Sequence, residues 1–173
     1  MATPVPRTPV SIERVLCLCT DSRPECLTEV RQEIRRAIAQ TPLNAKAVAE
    51  MEIAAGELLS NVHRHAYPAD TGPIFIEVFR TRLTVTVIVI DMGCAVVAPA
   101  LARALPDRTR VTGRGLYLVS RLSDEAKWSV NAGGHGLAVR ITKWFEAPHR
   151  RPGWYHHAQR DGRARSPQQQ RSA

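Results

Sequence analysis

The chain has little of what membrane and secreted proteins require. No apolar stretch approaches the ~20 consecutive residues that a transmembrane helix needs. The N-terminal residues, Met-Ala-Thr-Pro-Val-Pro-Arg-Thr-Pro, lack the apolar core of a signal peptide. We therefore expect a cytoplasmic protein that does not bind a membrane. With 173 residues and 44% hydrophobic content, the chain is long enough for one domain with a substantial core.

Cysteine is also scarce, with four in the whole chain. Cys17 and Cys19 form a Cys-x-Cys pair, but no second pair with zinc spacing follows, which argues against a zinc site. The two cysteines alternate with leucines in a predicted strand, so we expect them to share one face and to be small buried core residues. His63 and His65 are two apart on a predicted helix, which directs them to different faces and argues against a shared metal ion.

Positive charge is concentrated at the C-terminal end. The formal net charge is +8, and residues 147–173 contribute six arginines against one acidic residue, Asp161. This segment is rich in Arg, Pro and Gln and poor in aliphatic residues, a composition typical of disorder. An arginine-rich tail can contact nucleic acid or an acidic partner, or can serve only solubility. Because nothing in it is suited to read bases, we expect no direct nucleic-acid binding.

Hydrophobic periodicity predicts one α+β domain, residues 13–146, between a flexible leader, residues 1–12, and the basic tail, residues 147–173. Strands are predicted in pairs, which favours a two-layer sandwich, a mostly antiparallel sheet with helices on one face, over a doubly wound parallel fold. Helices are predicted at Pro24–Gln40, Leu43–Ala66, Ala98–Leu105 and Leu116–Leu122. Strands are predicted at Glu13–Cys19, Ile74–Arg80, Leu83–Ile90, Ala126–Val130 and Leu137–Phe145.

The chemically most informative stretch ends the second predicted helix and reads Glu-Leu-Leu-Ser-Asn-Val-His-Arg-His-Ala-Tyr, residues 57–67. Four-residue steps place Glu57, Asn61 and His65 on one helix face. An Asn carboxamide offers an uncharged oxygen to Mg²⁺, which prefers oxygen ligands, and a Glu one turn away can deprotonate a hydroxyl or a water. The face therefore suits a metal-bound phosphate, although a solvated polar stripe on an amphipathic helix has the same pattern.

Two later motifs add groups that can contact a ligand. The run Val85–Gly93 is a predicted buried strand that reaches Asp91, whose carboxylate can accept a hydrogen bond from a ligand amine, and Gly93 permits close approach of the backbone. In the second motif, Thr-Gly-Arg-Gly-Leu, Gly113 and Gly115 precede a predicted helix, where free N–H groups and the helix dipole attract an anion. Alone, a Gly-x-Gly is more typical of an ordinary loop before a helix than of an anion site.

The order of the three motifs resembles that of the Bergerat ATP-binding fold, which gyrase, histidine kinases and DNA mismatch-repair ATPases share. The motifs are Glu-x-x-x-Asn-x-x-x-His, Asp-x-Gly and Gly-x-Gly-Leu. The resemblance covers roughly Val15 to Phe145. More narrowly, the chain resembles the bacterial anti-sigma-factor serine/threonine kinases, which are single small domains. This narrower resemblance rests on Glu57 and Asn61 leading to His-Ala-Tyr, on the Gly-Arg-Gly-Leu motif, and on the compact size. No helix pair of the kind that dimerises histidine kinases is predicted before the motifs.

The resemblance implies ATP and Mg²⁺ as cofactors and assigns roles to individual residues. Asn61 would be the Mg²⁺ ligand, Glu57 the catalytic base toward a serine hydroxyl, and Asp91 the acceptor of the adenine amino group. The glycines of the last motif would lie along the phosphates, and residues 94–112 would form a lid over the nucleotide. The nucleotide would also contact His65, Gly93, Gly113, Arg114, Gly115 and Leu116. Arg31 falls where these kinases contact their protein partners.

The same resemblance implies an enzyme that phosphorylates a small anti-sigma antagonist protein and sequesters a sigma factor, and it leaves a homodimer open. The chain departs from the family at two places. Ala95 replaces the second Gly of an Asp-x-Gly-x-Gly box, and Leu137 stands where a Thr hydroxyl helps to hold the nucleotide. A nucleotide-binding interaction module with little or no kinase activity is therefore an alternative. A detached histidine-kinase catalytic domain, which forms phosphohistidine, is a third.

Overall fold

The computed structural model describes residues 11–94, 115–131 and 135–146. Within these ranges it contains five strands, three α-helices and one π-helical turn. In chain order they are β1 (Glu13–Asp21), α1 (Pro24–Ala39), α2 (Ala45–Asn61), the π-turn (Val62–Ala66), β2 (Pro73–Arg80), β3 (Thr84–Asp91), α3 (Gly115–Leu122), β4 (Glu125–Val130) and β5 (Leu137–Trp144). The predicted helix Ala98–Leu105 and most of the leader and tail lie outside the described residues.

The strands form one antiparallel sheet in the order β1-β2-β3-β5-β4. Burial alternates along β2 and β3, because one side of the sheet packs against the helices. The fully or almost fully buried side chains of the three central strands are Ile74, Ile76, Val78, Val85, Val87, Val89, Val139 and Ile141. This arrangement confirms the predicted α+β two-layer sandwich.

The helices begin where local chemistry favours a first turn. Pro24 opens α1, where its fixed φ and missing N–H cost nothing. Asn44 caps α2, since its Oδ1 accepts the Ala47 N–H at 2.8 Å. The apolar faces of the two helices complete the core with Leu27, Val30, Ile34, Ala37, Ile38, Met51, Ala54, Ala55, Leu58 and Leu59. No helix in the described part of the chain has the length and apolarity to cross a membrane.

Lys143 of β5 fixes the C-terminal end of α3. Its side chain is 13% exposed and donates to Glu50 of α2 at 2.5 Å and to the Leu122 carbonyl at 2.9 Å. A cation at this end of a helix opposes the negative end of the helix dipole. Lys143 therefore ties α3 to α2, and the other end of α3 comes to lie beside the predicted functional residues of α2.

The second helix differs from its prediction at both ends. The hydrophobic pattern predicted Leu43–Ala66 as one helix, whereas α2 begins at Ala45 and the last five residues form the π-turn. Position Leu43 precedes the Asn44 cap, which explains the later start. Periodicity over a few residues does not separate α- from π-helical turns, so the change of pitch after Asn61 had no signal in the sequence.

The expected burial of Cys17 and Cys19 is wrong, because both are exposed. Their predicted common face is real, but it is the outer face of the sheet. The inward positions of β1 belong to Leu16 and Leu18, which pack against the core. Helices cover only that inner face, so the cysteines point away from the core.

Candidate functional site

A pocket opens between the end of α2, the last residue of β3 and the start of α3. Its volume is about 440 Å³ when the open mouth is included. Three polar residues, Asn61, His65 and Asp91, line it. The remaining lining is apolar and consists of Leu58, Val62, Ala66, Val89, Leu116, Leu137 and Val139. Apolar walls with a few converging polar groups suit a flat, partly polar ligand.

Asp91 is the buried carboxylate of this pocket. It is the last residue of β3 and only 5% exposed, and its Oδ1 accepts the Gly93 N–H at 3.0 Å. Burial raises the pKa of Asp91, while hydrogen bonds from the Gly93 and Leu137 N–H groups oppose that rise. In its ionised form the carboxylate can accept a hydrogen bond from a ligand. The apolar surroundings make such a bond strong and directional.

The raised pKa of Asp91 gives a testable pH dependence. The folded domain holds this proton more tightly than the unfolded chain, so the stability due to Asp91 is greatest below about pH 4, the ordinary carboxyl range, and is lost as the pH rises through the folded-state pKa. Asp91→Asn should remove this contribution. We expect the free energy of unfolding of the wild type, relative to the variant, to fall in urea titrations as the pH rises above about 4 and through the folded-state pKa. A constant difference would contradict the assignment.

Glu57 and Asn61 converge on the first residue of α3. A methyl group on Gly115 would lie 2.6 Å from Glu57 Oε2 and 3.5 Å from Asn61 Oδ1. The two side chains therefore point their oxygens at the same spot, as the four-residue spacing predicts. A methyl group there would require the Glu57 carboxylate to move. The first N–H groups of an α-helix have no partner within the helix, which makes this end of α3 suited to an anion.

Asn61 has a further property that suits ligand binding. Its Nδ2 is buried and makes no hydrogen bond to any part of the chain that the structure describes. A buried amide group without a partner costs about 1–3 kcal/mol, and such groups concentrate at functional sites. The carboxamide is therefore not committed to a structural role, and its oxygen is a suitable neutral ligand for Mg²⁺.

The π-turn separates the two histidines of the motif. His65 lines the pocket with Asn61, whereas His63 donates through Nδ1 to the Ser22 carbonyl at 2.9 Å on the other side. This separation agrees with the prediction that the two rings do not share a metal ion. π-turns inside helices occur frequently at functional sites, because the extra residue re-aims the side chains that follow.

Comparison with known proteins agrees with this geometry. Residues 20–143 match the model of the histidine kinase-like ATPase domain. The chain belongs to that family. It is 27% identical over 135 residues to the serine-protein kinase RsbW of Bacillus licheniformis, a similarity that covers 72% of this chain and 81% of the relative. The predicted resemblance to a Bergerat-type, anti-sigma-kinase-like domain is thereby confirmed.

A solved structure supports the same fold. The chain is similar to the crystal structure of the RsbU and RsbW domains of a Mycobacterium tuberculosis protein, with a TM-score of 0.54 and 19% identity over 79% of this chain. It spans 32% of the length of that crystallised chain. At this identity the similarity shows the fold of the histidine kinase-like ATPase domain and not a shared substrate.

The structure describes most, but not all, of the predicted site residues of this ATPase domain. Asn61, His65, Asp91 and Leu116 line the pocket, and Gly115 lies at its edge beside Glu57. Gly93 touches the pocket wall at Ala66. Gly113, Arg114 and Ala95 lie outside the described residues, so their predicted roles stay predictions.

Arg31, predicted as a partner contact, lies on the surface of the ATPase domain. Its guanidinium donates to the Gly56 carbonyl at 3.3 Å and to the Ser60 hydroxyl at 2.7 Å. It therefore rests on α2, at the two residues that directly precede Glu57 and Asn61. Its contact with a partner protein stays a prediction.

Gly93 joins the end of β3 to the π-turn. A methyl group there would lie 2.1 Å from the Ala66 carbonyl oxygen, the group that accepts the Cys94 N–H at 3.1 Å. Gly93→Ala should therefore separate the strand end from the π-turn and destabilise the domain by about 1–3 kcal/mol, together with a loss of nucleotide affinity. Denaturant unfolding and nucleotide titration measure both effects.

Gly56→Ala is the matched control for this prediction. A methyl group at Gly56 meets only Arg31 Nε, at an ordinary 3.6 Å, and the position lies inside α2. Alanine there should stabilise the domain by about 0.5–1 kcal/mol, because glycine is unfavourable in a helix. Equal effects of the two substitutions would show that the Gly93–Ala66 approach is not important.

Proposed function

We propose that this domain binds Mg·ATP, transfers the γ-phosphoryl group to a serine or threonine of a small anti-sigma antagonist protein, and sequesters a sigma factor in the cytoplasm. The observation that supports it most is the convergence of the Glu57 and Asn61 oxygens on Gly115, beside a pocket that holds Asp91. The similarity to a serine-protein kinase supports the choice of reaction.

The pocket suits an adenine base in front of a phosphate site. Asp91 accepts the exocyclic amino group, and the apolar walls, among them Val89 and Val139, enclose the ring. The free N–H groups at the start of α3, from Gly115 and Leu116, face the phosphates. The nucleotide therefore lies from the end of β3 toward α3.

Glu57 and Asn61 divide the chemistry of transfer between them. Glu57 accepts the proton of the substrate hydroxyl while the oxygen of that hydroxyl bonds to the γ-phosphorus. The bond between the γ-phosphorus and the β–γ bridging oxygen breaks, which releases ADP. Asn61 would hold Mg²⁺ through its amide oxygen, and an ion bound there would supply positive charge to neutralise the phosphates. Positioning and charge stabilisation supply most of the catalysis in such transfers. The close approach of Gly115 to Glu57 places the proposed phosphate site at the start of α3 beside the proposed base.

One observation favours the second candidate, a nucleotide-binding interaction module. Leu137 lines the pocket with an apolar side chain where the family has a threonine hydroxyl. Loss of one hydrogen bond to the ligand costs about 0.5–1.5 kcal/mol if nothing replaces it. Weaker binding follows from this change more directly than loss of transfer, since Glu57 is retained.

A transfer assay distinguishes the candidates. The full chain is incubated with γ-labelled ATP, Mg²⁺ and a candidate small antagonist protein. Label on serine or threonine supports the kinase, and ATP binding without transfer supports the module. Acid-labile phosphohistidine would support a detached histidine-kinase domain and overturn the proposal.

We also propose that residues 13–146 form a domain that folds and binds nucleotide without the basic tail. Residues 147–173 have few apolar side chains to bury, so their removal should leave the melting temperature and the affinity for ATP unchanged. Thermal unfolding and calorimetric titration of a chain ending at residue 146 check this. A much lower melting temperature, or lost binding, would show that the tail docks onto the domain.

A further inference from the structure

A single peptide group, the one between Asp91 and Met92, is held at both of its ends. Its N–H, from Met92, donates to the hydroxyl of Tyr67 at 2.9 Å. Its carbonyl, from Asp91, accepts a hydrogen bond from Asn131 Nδ2 at 2.8 Å. The plane of this peptide group is therefore fixed directly after the carboxylate of the nucleotide pocket.

Tyr67 is itself firmly placed. Its hydroxyl donates to the Pro73 carbonyl at 2.7 Å, at the start of β2, the strand that pairs with Asp91 through Ile74. Its ring lies so close to Gly72 that a methyl group there would be 2.3 Å from a ring carbon. Burial raises the pKa of the Tyr67 phenol, so it stays protonated and can donate to one carbonyl while it accepts from Met92.

Asn131 reaches the same peptide group from another part of the fold. It follows β4, and its N–H donates to the Gly136 carbonyl at 3.3 Å, just before β5. Its Nδ2 also lies 3.6 Å from Met92 Sδ. Gly136 has a φ of +73° and approaches the Asp91 carbonyl so closely that a methyl group would be 2.1 Å from that oxygen. Asn131 and Gly136 therefore both pack directly on this peptide group.

We propose that Tyr67 and Asn131 are positioning residues that set the base selectivity of the nucleotide site by orienting Asp91. The proposal rests on the proposed function, in which Asp91 accepts the adenine amino group. Holding the peptide after Asp91 restricts the ψ angle of that residue, and this limits the directions in which its carboxylate points. Hydrogen bonds weaken steeply with misalignment, and preorganised acceptors bind more tightly than mobile ones.

The test compares ATP with GTP, whose base carries a carbonyl oxygen in place of the 6-amino group of adenine. Tyr67→Phe and Asn131→Ala should each weaken ATP binding by about 3–10-fold, within the usual worth of a hydrogen bond. GTP affinity should change little, because phosphate contacts do not depend on the Asp91 direction. The ratio of the GTP dissociation constant to the ATP dissociation constant should therefore fall in both variants. Calorimetry on the full chain measures both constants.

Asn44→Ala is the matched control, since it makes the same substitution at the cap of α2. It should lower the melting temperature without changing the ratio, which separates positioning from general destabilisation. In the double variant, Tyr67→Phe with Asn131→Ala, the loss of selectivity should be smaller than the product of the single losses, because both residues hold one peptide group.

Hydrogen exchange adds a readout without nucleotide. The Met92 amide should exchange slowly in the wild type and at least about tenfold faster in Tyr67→Phe, because its hydrogen-bond acceptor is removed. If Tyr67→Phe fails to fold, Asn131→Ala carries the selectivity test. If the wild type prefers ATP and the ratio of the GTP to the ATP dissociation constant is unchanged in the variants, this inference alone is overturned. A wild type that binds neither nucleotide overturns the proposed function as well.

Discussion

Replacing Asn61 with alanine is expected to weaken Mg·ATP binding by at least about 100-fold without destabilising the free domain. The loss of affinity follows from removing a metal ligand, since even the groups that support metal ligands are worth about 10–100-fold. The unchanged stability follows from the buried Nδ2 that lacks a partner, because alanine removes an unsatisfied donor together with some packing. A residue with a purely structural role would show the opposite pattern.

Calorimetric titration with and without Mg²⁺ measures the binding effect. The wild type should bind ATP more tightly with Mg²⁺, and Asn61→Ala should lose this difference. Asn61→Asp keeps an oxygen ligand and should retain part of it, which makes it the conservative control. If Asn61→Ala kept the full affinity and its dependence on Mg²⁺, Asn61 would not be part of the metal site.

The fold was predictable because its patterns are local and strong. The apolar, β-branched runs in Ile74–Arg80 and Leu83–Ile90 predicted two strands. The observed β2 begins one residue earlier than predicted, and the observed β3 begins and ends one residue later. Glu57, Asn61 and His65 were predictable for the same reason, since a four-residue period places side chains on one face of any helix.

What the sequence did not predict depends on contacts between distant residues. The exposure of Cys17 and Cys19 follows from which face of the sheet the helices cover, and a period of two is the same for either face. Tyr67 and Asn131 meet the Asp91–Met92 peptide across 25 and 40 residues of chain. Tyr67 belongs to the His-Ala-Tyr motif and Asn131 follows a strand, but neither segment indicates the shared target, which only the assembled sheet and helices reveal.

The second large effect concerns Glu57. Glu57→Gln should slow phosphoryl transfer to serine by about 10²–10⁴-fold, the usual worth of a positioned general base, with nucleotide affinity nearly unchanged. Glutamine has the size of glutamate and keeps the close contact with Gly115, but it cannot accept the substrate proton. The expected result is therefore a loss of rate with retained binding. Single-turnover transfer from labelled ATP to the antagonist protein measures it.

Glu52→Gln is the matched control on the same helix. Glu52 lies on the surface of α2, where its carboxylate pairs with Arg35 at 3.5 Å, so its neutralisation should change neither the rate nor the affinity. Equal transfer rates for wild type and Glu57→Gln would reject Glu57 as the base and leave it the role of orienting the start of α3. The wild type retains the Glu57 carboxylate at the position that the reaction requires. If it nevertheless transferred no phosphoryl group, the nucleotide-binding module would be favoured.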